Sequence, residues 1–94
     1  MTHDIRNDTG RNRYILTVDG EEAGYLSYIP CTGAVDLEHT EIADSHAGQG
    51  LAGELARHAL SDIRDRGLNA MTTCPAVASF VAKNPEFADL VVEP

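Results

Sequence analysis

The amino-acid sequence predicts an α/β (α+β) fold with a mixed sheet and the element order β-β-β-α-β-α. Three observations lead to this prediction. Residues 13–42 hold three β-forming segments separated by short turns, residues 50–66 have the hydrophobic period of a helix, and a short strand and a second helix follow. Strands joined by short links form an antiparallel meander, and a strand–helix–strand unit joins parallel strands through a right-handed crossover.

Three strands are predicted in the first half of the chain. Residues 13–18 and 22–29 are rich in β-branched and aromatic side chains, and Asp19-Gly20 between them supplies a hairpin turn. Residues 34–42 alternate apolar and polar side chains. This alternation places four side chains on one face of the third strand: Val35, Leu37, His39 and Glu41.

The second half of the chain predicts two helices and a strand. Apolar side chains recur every four residues along 50–66, which is typical of an amphipathic helix, and Gly67 ends it. Residues 69–73 predict a short strand, and 76–83 predict a second helix. The tail at 87–92 carries apolar residues without a clear type of structure.

Length and charge set the class of protein. The 94 residues predict one domain over 1–94, with 1–12 as a mobile or edge segment. A net charge of −8 with seven basic residues argues against a nucleic-acid partner and favours a cationic or neutral one. The chain has no signal-peptide core and no apolar run near the roughly 18 residues of a membrane span. We therefore expect a cytoplasmic protein without a membrane partner, and the oligomeric state stays open.

The cysteines and histidines predict no metal site. Cys31 and Cys74 are too few for a disulfide framework and lack the clustered spacing of zinc ligands. The histidines have no metal-ligand spacing either, and His3 falls in a tail that we expect to be mobile. Cys31 is expected to be a small buried side chain.

A glycine loop precedes the long helix. Gly48 and Gly50 allow the backbone to approach a ligand closely, and the first turn of a helix leaves free N–H groups. Because a helix N-terminus carries roughly half a positive charge, it binds phosphate without a lysine. The loop is neither a Walker loop nor the dinucleotide GxGxxG. Taken alone, it is equally well explained by a tight strand-to-helix turn.

Four motifs follow one another along the chain: His39-Thr40-Glu41, Gly48-Gln49-Gly50-Leu51-Ala52, Cys74-Pro75 and Asn84-Pro85-Glu86-Phe87-Ala88-Asp89-Leu90-Val91. In this order they resemble the small, single-domain branch of the GCN5-related N-acetyltransferases (GNAT family), the YjdJ-type proteins, over residues 14–92. The resemblance implies acetyl-coenzyme A (acetyl-CoA) as donor, with its pyrophosphate at 47–52 and its pantetheine arm between two splayed strands. The candidate coenzyme contacts are Ile42, His46, Ala47, Gly48, Gln49, Gly50, Leu51, Ala52, Cys74 and Asn84.

The resemblance also brings in His39 and Cys74 as candidate catalytic residues. A lysine-like amine with a pKa of about 10.4 is neutral in roughly one molecule per 2,500 at pH 7, so a base would help it to react. His39 has the most suitable intrinsic pKa, and Glu41 could orient it. Two routes stay open: acetylation of Cys74 after activation by His39, or direct attack of the amine while His39 and Cys74 move protons.

Departures from the family pattern leave two other functions open. Ser45 and Ala47 stand where the family has side-chain donors to phosphate, which implies weaker coenzyme binding with His46 as a possible local cation. Phe80 stands where larger relatives have a tyrosine. The leading hypothesis is an N-acetyltransferase acting on an amine of a small molecule or a protein. The alternatives are a non-catalytic coenzyme A-binding or sensing module and an acidic interaction domain that has lost the ligand.

Overall fold

The computed structural model describes residues 2–92 and contains a five-stranded mixed sheet with two α-helices on one face. The sheet order follows the chain, and every neighbouring pair is antiparallel except β4 and β5, which are parallel and joined through α1. The predicted fold class is confirmed. The elements are β1 (His3–Asp8), β2 (Arg13–Val18), β3 (Glu21–Cys31), β4 (Ala34–Ile42), α1 (Leu51–Asp65), β5 (Asn69–Thr72) and α2 (Pro75–Lys83), with 3₁₀ turns at Asp44–His46 and Pro85–Leu90.

Strand β1 lies within the segment that was expected to be mobile or at an edge. It pairs with β2 along its whole length, from His3 opposite Val18 to Asp8 opposite Arg13. His3 therefore lies in a strand and not in a mobile tail, and its Nδ1 is 3.4 Å from a carboxylate oxygen of Glu54. The sequence of β1 is polar and resembles a loop, so composition alone does not predict a strand here. Its hydrogen bonds to β2 make it the edge strand of the sheet.

The core lies between the sheet and α1. The side chains of α1 that are spaced three and four apart are buried, as the hydrophobic period predicted. The tail past α2 closes one end of this core, because Phe87 and Leu90 of the second 3₁₀ turn are buried in it. The strands contribute Tyr14, Leu16, Val18, Leu26, Tyr28, Val35, Leu37 and Ala70.

A β-bulge at Glu38 changes which side chains of β4 face the core. Tyr28 pairs with Leu37 and Ser27 pairs with His39, so Glu38 has no partner on β3. Because side chains alternate between the two faces, one extra residue reverses the alternation beyond it. The prediction that Val35, Leu37, His39 and Glu41 share one face is therefore wrong.

Beyond the bulge, Thr40 and Ile42 take the helix side, while His39 and Glu41 point to the other side of the sheet. Within residues 2–92 no helix packs on that second side, which is the open face. Its side chains include Arg13, Ile15, Tyr25, Ser27, His39 and Glu41.

Strands β4 and β5 separate beyond Leu37. Their pairing runs from Ala34 with Asn69 to Leu37 with Thr72, and the Cys74 amide then donates to the Leu37 carbonyl oxygen at 2.8 Å. At Pro75 the chain turns into α2. Residues 38–42 of β4 therefore have β3 on one side and no paired strand on the other within the described chain. This opening between residues 38–42 and Cys74 is the fork.

Neither α-helix within residues 2–92 combines the length and the apolar character needed to cross a membrane.

Candidate functional site

The start of α1 leaves backbone N–H groups without partners in the helix. Gly48 and Gly50 have φ angles of 79° and 75°, in the left-handed region that favours glycine. Gly50 is the N-cap, and no side chain caps the helix. The first helical hydrogen bond runs from the Glu54 amide to the Gly50 carbonyl at 3.2 Å, so the amides of residues 51–53 have no acceptor within the helix. These amides and the helix dipole attract negative charge.

The loop and the fork lie at the same end of the sheet. α1 starts shortly after the carboxyl end of β4, and the fork opens at the carboxyl ends of the parallel strands β4 and β5. The backbone of 47–50 is exposed, whereas Leu51 is buried and offers only its amide. Ile42 is half-buried against the core beside the fork. The arrangement suits a ligand with an anionic end and an extended polar arm.

His46 is half-buried in the 3₁₀ turn that leads into this loop. Its Nδ1 lies 3.0 Å from Ser45 Oγ. Ser45 therefore contacts the imidazole, and the two side chains stand together beside the start of the glycine loop.

Cys74 lies on the helix side of the fork. Its side chain is 2% exposed, and its Sγ is 3.3 Å from Thr40 Oγ1. The structure thus brings Cys74 together with Thr40 and not with His39, which the bulge turns to the open face. On the open face, Thr73 donates to Asp36 at 2.7 Å, so side chains bridge β4 to the chain after β5 on both sides of the sheet.

His39 and Glu41 form a close pair on the open face. His39 Nε2 lies 2.7 Å from Glu41 Oε2, and both side chains are more than half exposed. Because a carboxylate only accepts hydrogen bonds, a neutral His39 in this contact carries its proton on Nε2 and has the lone pair of Nδ1 available as a base. The Tyr25 ring lies 6.2 Å from the His39 ring. A shallow depression of about 210 Å³ beside the pair is lined by Glu22, Ala23, Gly24, Tyr25, Glu41 and Ala43.

Asn84 and Phe80 have structural contacts. Asn84 Nδ2 donates to the Phe80 carbonyl oxygen at 2.9 Å, and Asn84 Oδ1 accepts from Arg57 at 3.1 Å. Both ends of the Asn84 amide are thus engaged at the end of α2. The Phe80 ring is 5.9 Å from the Phe87 ring, and it packs beside Gly53 in the first turn of α1.

Cys31 is exposed, and the prediction of a small buried residue is wrong. It ends β3 opposite Ala34, at the opposite end of β4 from the fork. It lies beyond the stretch of β3 whose side chains pack into the core. The two cysteines therefore stand at different ends of the sheet.

Sequence reasoning missed three residues of this region: Thr40, Arg13 and Tyr25. Thr40 reaches Cys74 only because of the bulge, and the segment Leu37-Glu38-His39 contains no glycine or proline that would signal one. Arg13 carried a weak signal, as a charged residue at the start of a largely apolar strand, and Tyr25 carried none, since tyrosine is common in strands. Residues 2–92 contain no group of three or more His, Cys, Asp or Glu side chains arranged to hold a metal ion.

Comparison of the sequence with known proteins identifies relatives over most of the chain. A family model described as GCN5-related N-acetyl-transferase matches residues 13–90. Protein NATD1 of Bos taurus is 32% identical over 83 residues, and that of Homo sapiens is 31% identical. Each match covers 86% of this chain and 74% of the relative.

Solved structures share the fold. A GCN5-like protein from Staphylococcus aureus has a TM-score of 0.71 at 17% identity, covering 97% of this chain and 89% of its own. The ribosomal-protein-alanine N-acetyltransferase from Brucella melitensis biovar Abortus 2308 has a TM-score of 0.57 at 17% identity, covering 87% and 62%. The family expected from the four motifs is confirmed, while its YjdJ-type branch stays a prediction. The chain belongs to the GCN5-related N-acetyltransferase family.

Proposed function

We propose that this protein transfers an acetyl group from acetyl-coenzyme A to an amine. The observation that carries the proposal is the placement of the uncapped α1 start beside the fork, at one end of the sheet. A polyanion with an extended arm can reach both features at once. Membership of the acetyltransferase family supports the same reaction.

The coenzyme would be held mainly by backbone groups. The amides of residues 48–53 suit its pyrophosphate, because the left-handed glycines expose the backbone and α1 adds its dipole. The unpaired side of residues 38–42 suits the amides of the pantetheine arm, as a strand would add to a sheet edge. Ile42 supplies an apolar contact at that point.

The direct route agrees best with the geometry. Acetyl-coenzyme A supplies a thioester carbonyl for the amine to attack. His39, oriented by Glu41, would accept the proton that the amine loses as the C–N bond forms and the C–S bond breaks. Coenzyme A would leave as its thiolate and take up a proton from solvent. Activation of Cys74 by His39 would require the two side chains to meet, and they lie on opposite sides of the sheet. Cys74 and Thr40 instead line the helix side of the fork.

Two measurements test the proposal. Calorimetric titration should show acetyl-coenzyme A binding that is lost in Gly50→Glu, whose carboxylate repels the pyrophosphate. Release of free coenzyme A with a panel of amines should fall about 10²-fold or more in His39→Gln, with the coenzyme Kd unchanged. His58→Gln, a change on α1, is the matched control and should keep full activity.

Other outcomes point to other functions. Binding without release of coenzyme A for any amine would favour a sensing module, and absence of binding at millimolar coenzyme would favour an interaction domain. Intact-protein mass spectrometry decides the route. An acetyl adduct that disappears in Cys74→Ala and persists in Cys31→Ala would contradict direct transfer.

A further inference from the structure

Arg13 differs from the other arginines of this chain. Acidic residues outnumber lysine and arginine by 15 to 7. Each of the other arginines lies within 4.0 Å of a carboxylate, whereas Arg13 forms no such ion pair within residues 2–92. The paired arginines are Arg6 with Asp8, Arg11 with Asp8 and Glu22, Arg57 with Glu86, Arg64 with Asp89 and Arg66 with Asp62.

The guanidinium of Arg13 is held in place on the open face. Its Cζ lies 3.9 Å from the centre of the Tyr25 ring, a cation–π stacking distance. Its Nε is buried and has no hydrogen-bond partner within the described chain. Because buried donors are normally satisfied, the hydrogen-bonding capacity of this guanidinium is not fully used within residues 2–92.

Arg13 and the His39–Glu41 pair stand at two ends of one surface. Arg13 pairs with Ser27 and Ser27 with His39, so Arg13 and His39 lie in one row two strands apart, about 10 Å between Cα atoms. The Tyr25 ring lies between them, stacked under Arg13 and 6.2 Å from the His39 ring. One end of this surface is cationic and the other carries the carboxylate of Glu41.

We propose that the acceptor is a small amino acid, an amine that also carries a carboxylate. This inference rests on the proposed function, and it assigns the carboxylate to Arg13 and the amine to His39 and Glu41. A guanidinium binds a carboxylate through two parallel hydrogen bonds, which suits it better than a lysine for this task. The Arg13 Cζ lies 3.9 Å and the centre of the His39 ring 6.2 Å from the centre of the Tyr25 ring, so the two groups are at most about 10 Å apart. An α- or β-amino acid with a hydrogen bond of about 2.9 Å at each end can bridge a span of this order.

Pairs of ligands that differ only in a carboxylate measure how much that group contributes to binding. Nuclear magnetic resonance titration of the protein without coenzyme compares glycine with ethylamine and β-alanine with propylamine, following the Arg13 Nε–H signal and the amides of Tyr25 and His39. We expect the amino acids to bind at least about tenfold more tightly than the matched amines, because paired charge-assisted hydrogen bonds are strong. Arg13→Gln should remove this advantage, and Arg13→Lys should restore part of it.

The control variant is Arg6→Gln, which removes an arginine of the edge strand that is already paired with Asp8. It should leave the preference for amino acids unchanged. Equal affinity of the wild-type protein for amino acids and matched amines would overturn the inference, and so would a preference that survives in Arg13→Gln. Because the wild-type comparison stands alone, the test holds even if Arg13→Gln unfolds.

Failure of the inference and failure of the proposed function give different results. Coenzyme A release that is equally efficient with ethylamine and glycine would support transfer and overturn the amino-acid assignment. Carboxylate-dependent binding at Arg13 without coenzyme A release for any acceptor would support an amino-acid site on this surface and contradict transfer.

Discussion

Tyr14 places a phenol inside the apolar core between the sheet and α1. Its side chain is fully buried, and its hydroxyl donates to Asp62 Oδ2 at 2.7 Å. Burial, followed by the hydrogen bond to Asp62, raises the pKa of Tyr14 well above its usual value of about 10. The folded protein therefore holds the neutral phenol more strongly than the unfolded chain does.

This shift predicts a loss of stability at alkaline pH. A raised folded-state pKa contributes stability that is fully present below about pH 10 and is lost as pH rises further. The free energy of unfolding in urea should therefore fall above pH 10, and Tyr14→Phe should reduce that fall while costing about 1 kcal/mol at pH 7. Tyr25→Phe, on the open face, is the control. An identical pH dependence in the wild-type protein and Tyr14→Phe would contradict the assignment.

Single residues of the site were predictable where the reasoning was local. The two-residue spacing of His39 and Glu41 predicted that they could touch, and they do at 2.7 Å. The approach of His39 to Cys74 was not predictable, because it depends on which face each side chain takes after the bulge. The exposure of Cys31 likewise depends on where the helices end over the sheet, which no short segment encodes.

Among the elements, the hairpin of β3 and β4 is the most closely packed beside the site. Gly24 faces Ile42 across this hairpin, and a Cβ there would lie 2.6 Å from the Glu41 carbonyl oxygen and 2.7 Å from Ile42 Cδ1. The backbone oxygen cannot yield without moving the strand. The absence of a side chain at this position therefore lets β4 carry Glu41 close to β3.

Gly24→Ala should consequently destabilise the protein by about 1–3 kcal/mol, the cost typical of overpacking. Gly53→Ala is the matched control, because its Cβ would meet the Phe80 ring at an ordinary 3.7 Å and alanine favours the helix by up to about 1 kcal/mol. Urea unfolding at pH 7 measures both. Equal stability of the two variants would show that the hairpin can relax around the added methyl group.

Elements with a strong period were predictable, and irregular ones were not. β2 and α1 lie within one residue of their predicted bounds. The apolar side chains of the strand and the four-residue apolar spacing of the helix both follow from burial of one face, so each pattern ends where the element ends. β1 is polar and is fixed by its partner strand, so its own composition predicts a loop. In the 3₁₀ turn at Pro85–Leu90, the buried residues Phe87 and Leu90 fill space at the end of the core. Their spacing follows the shape of that space and no helical or strand period, so the sequence predicts no element there.

At the scale of the whole molecule, the net negative charge repels the anionic ligand that the start of α1 would attract. The chain has a net charge of −8, while the α1 start suits a ligand with several negative charges. Backbone amides act over short distances, whereas repulsion from the acidic surface acts over a Debye length of about 8 Å at physiological salt. Salt therefore weakens the repulsion more than the attraction.

The coenzyme A affinity should then be nearly constant or increase between about 20 and 200 mM salt, unlike that of sites built from lysine and arginine. Calorimetric titration at several salt concentrations measures this. The variant Glu21→Gln/Asp65→Asn removes two exposed acidic side chains, one at the same end of the sheet as the loop and one at the far end of α1, and should bind more tightly at low salt. A Kd that rises several-fold with salt would instead indicate that basic side chains provide most of the attraction.

The bulge at Glu38 reverses which face of the sheet each later side chain of β4 takes. Without it, Val35, Leu37 and the candidate base His39 would share one face of the strand. That face would then have to be both buried, for the apolar side chains, and exposed, for the base. With the bulge, the strand divides into a first part that builds the core and a second part whose outward residues, His39 and Glu41, are not constrained by core packing. A deletion of one codon here would leave the composition almost unchanged and exchange the inside and outside of every residue up to Ile42.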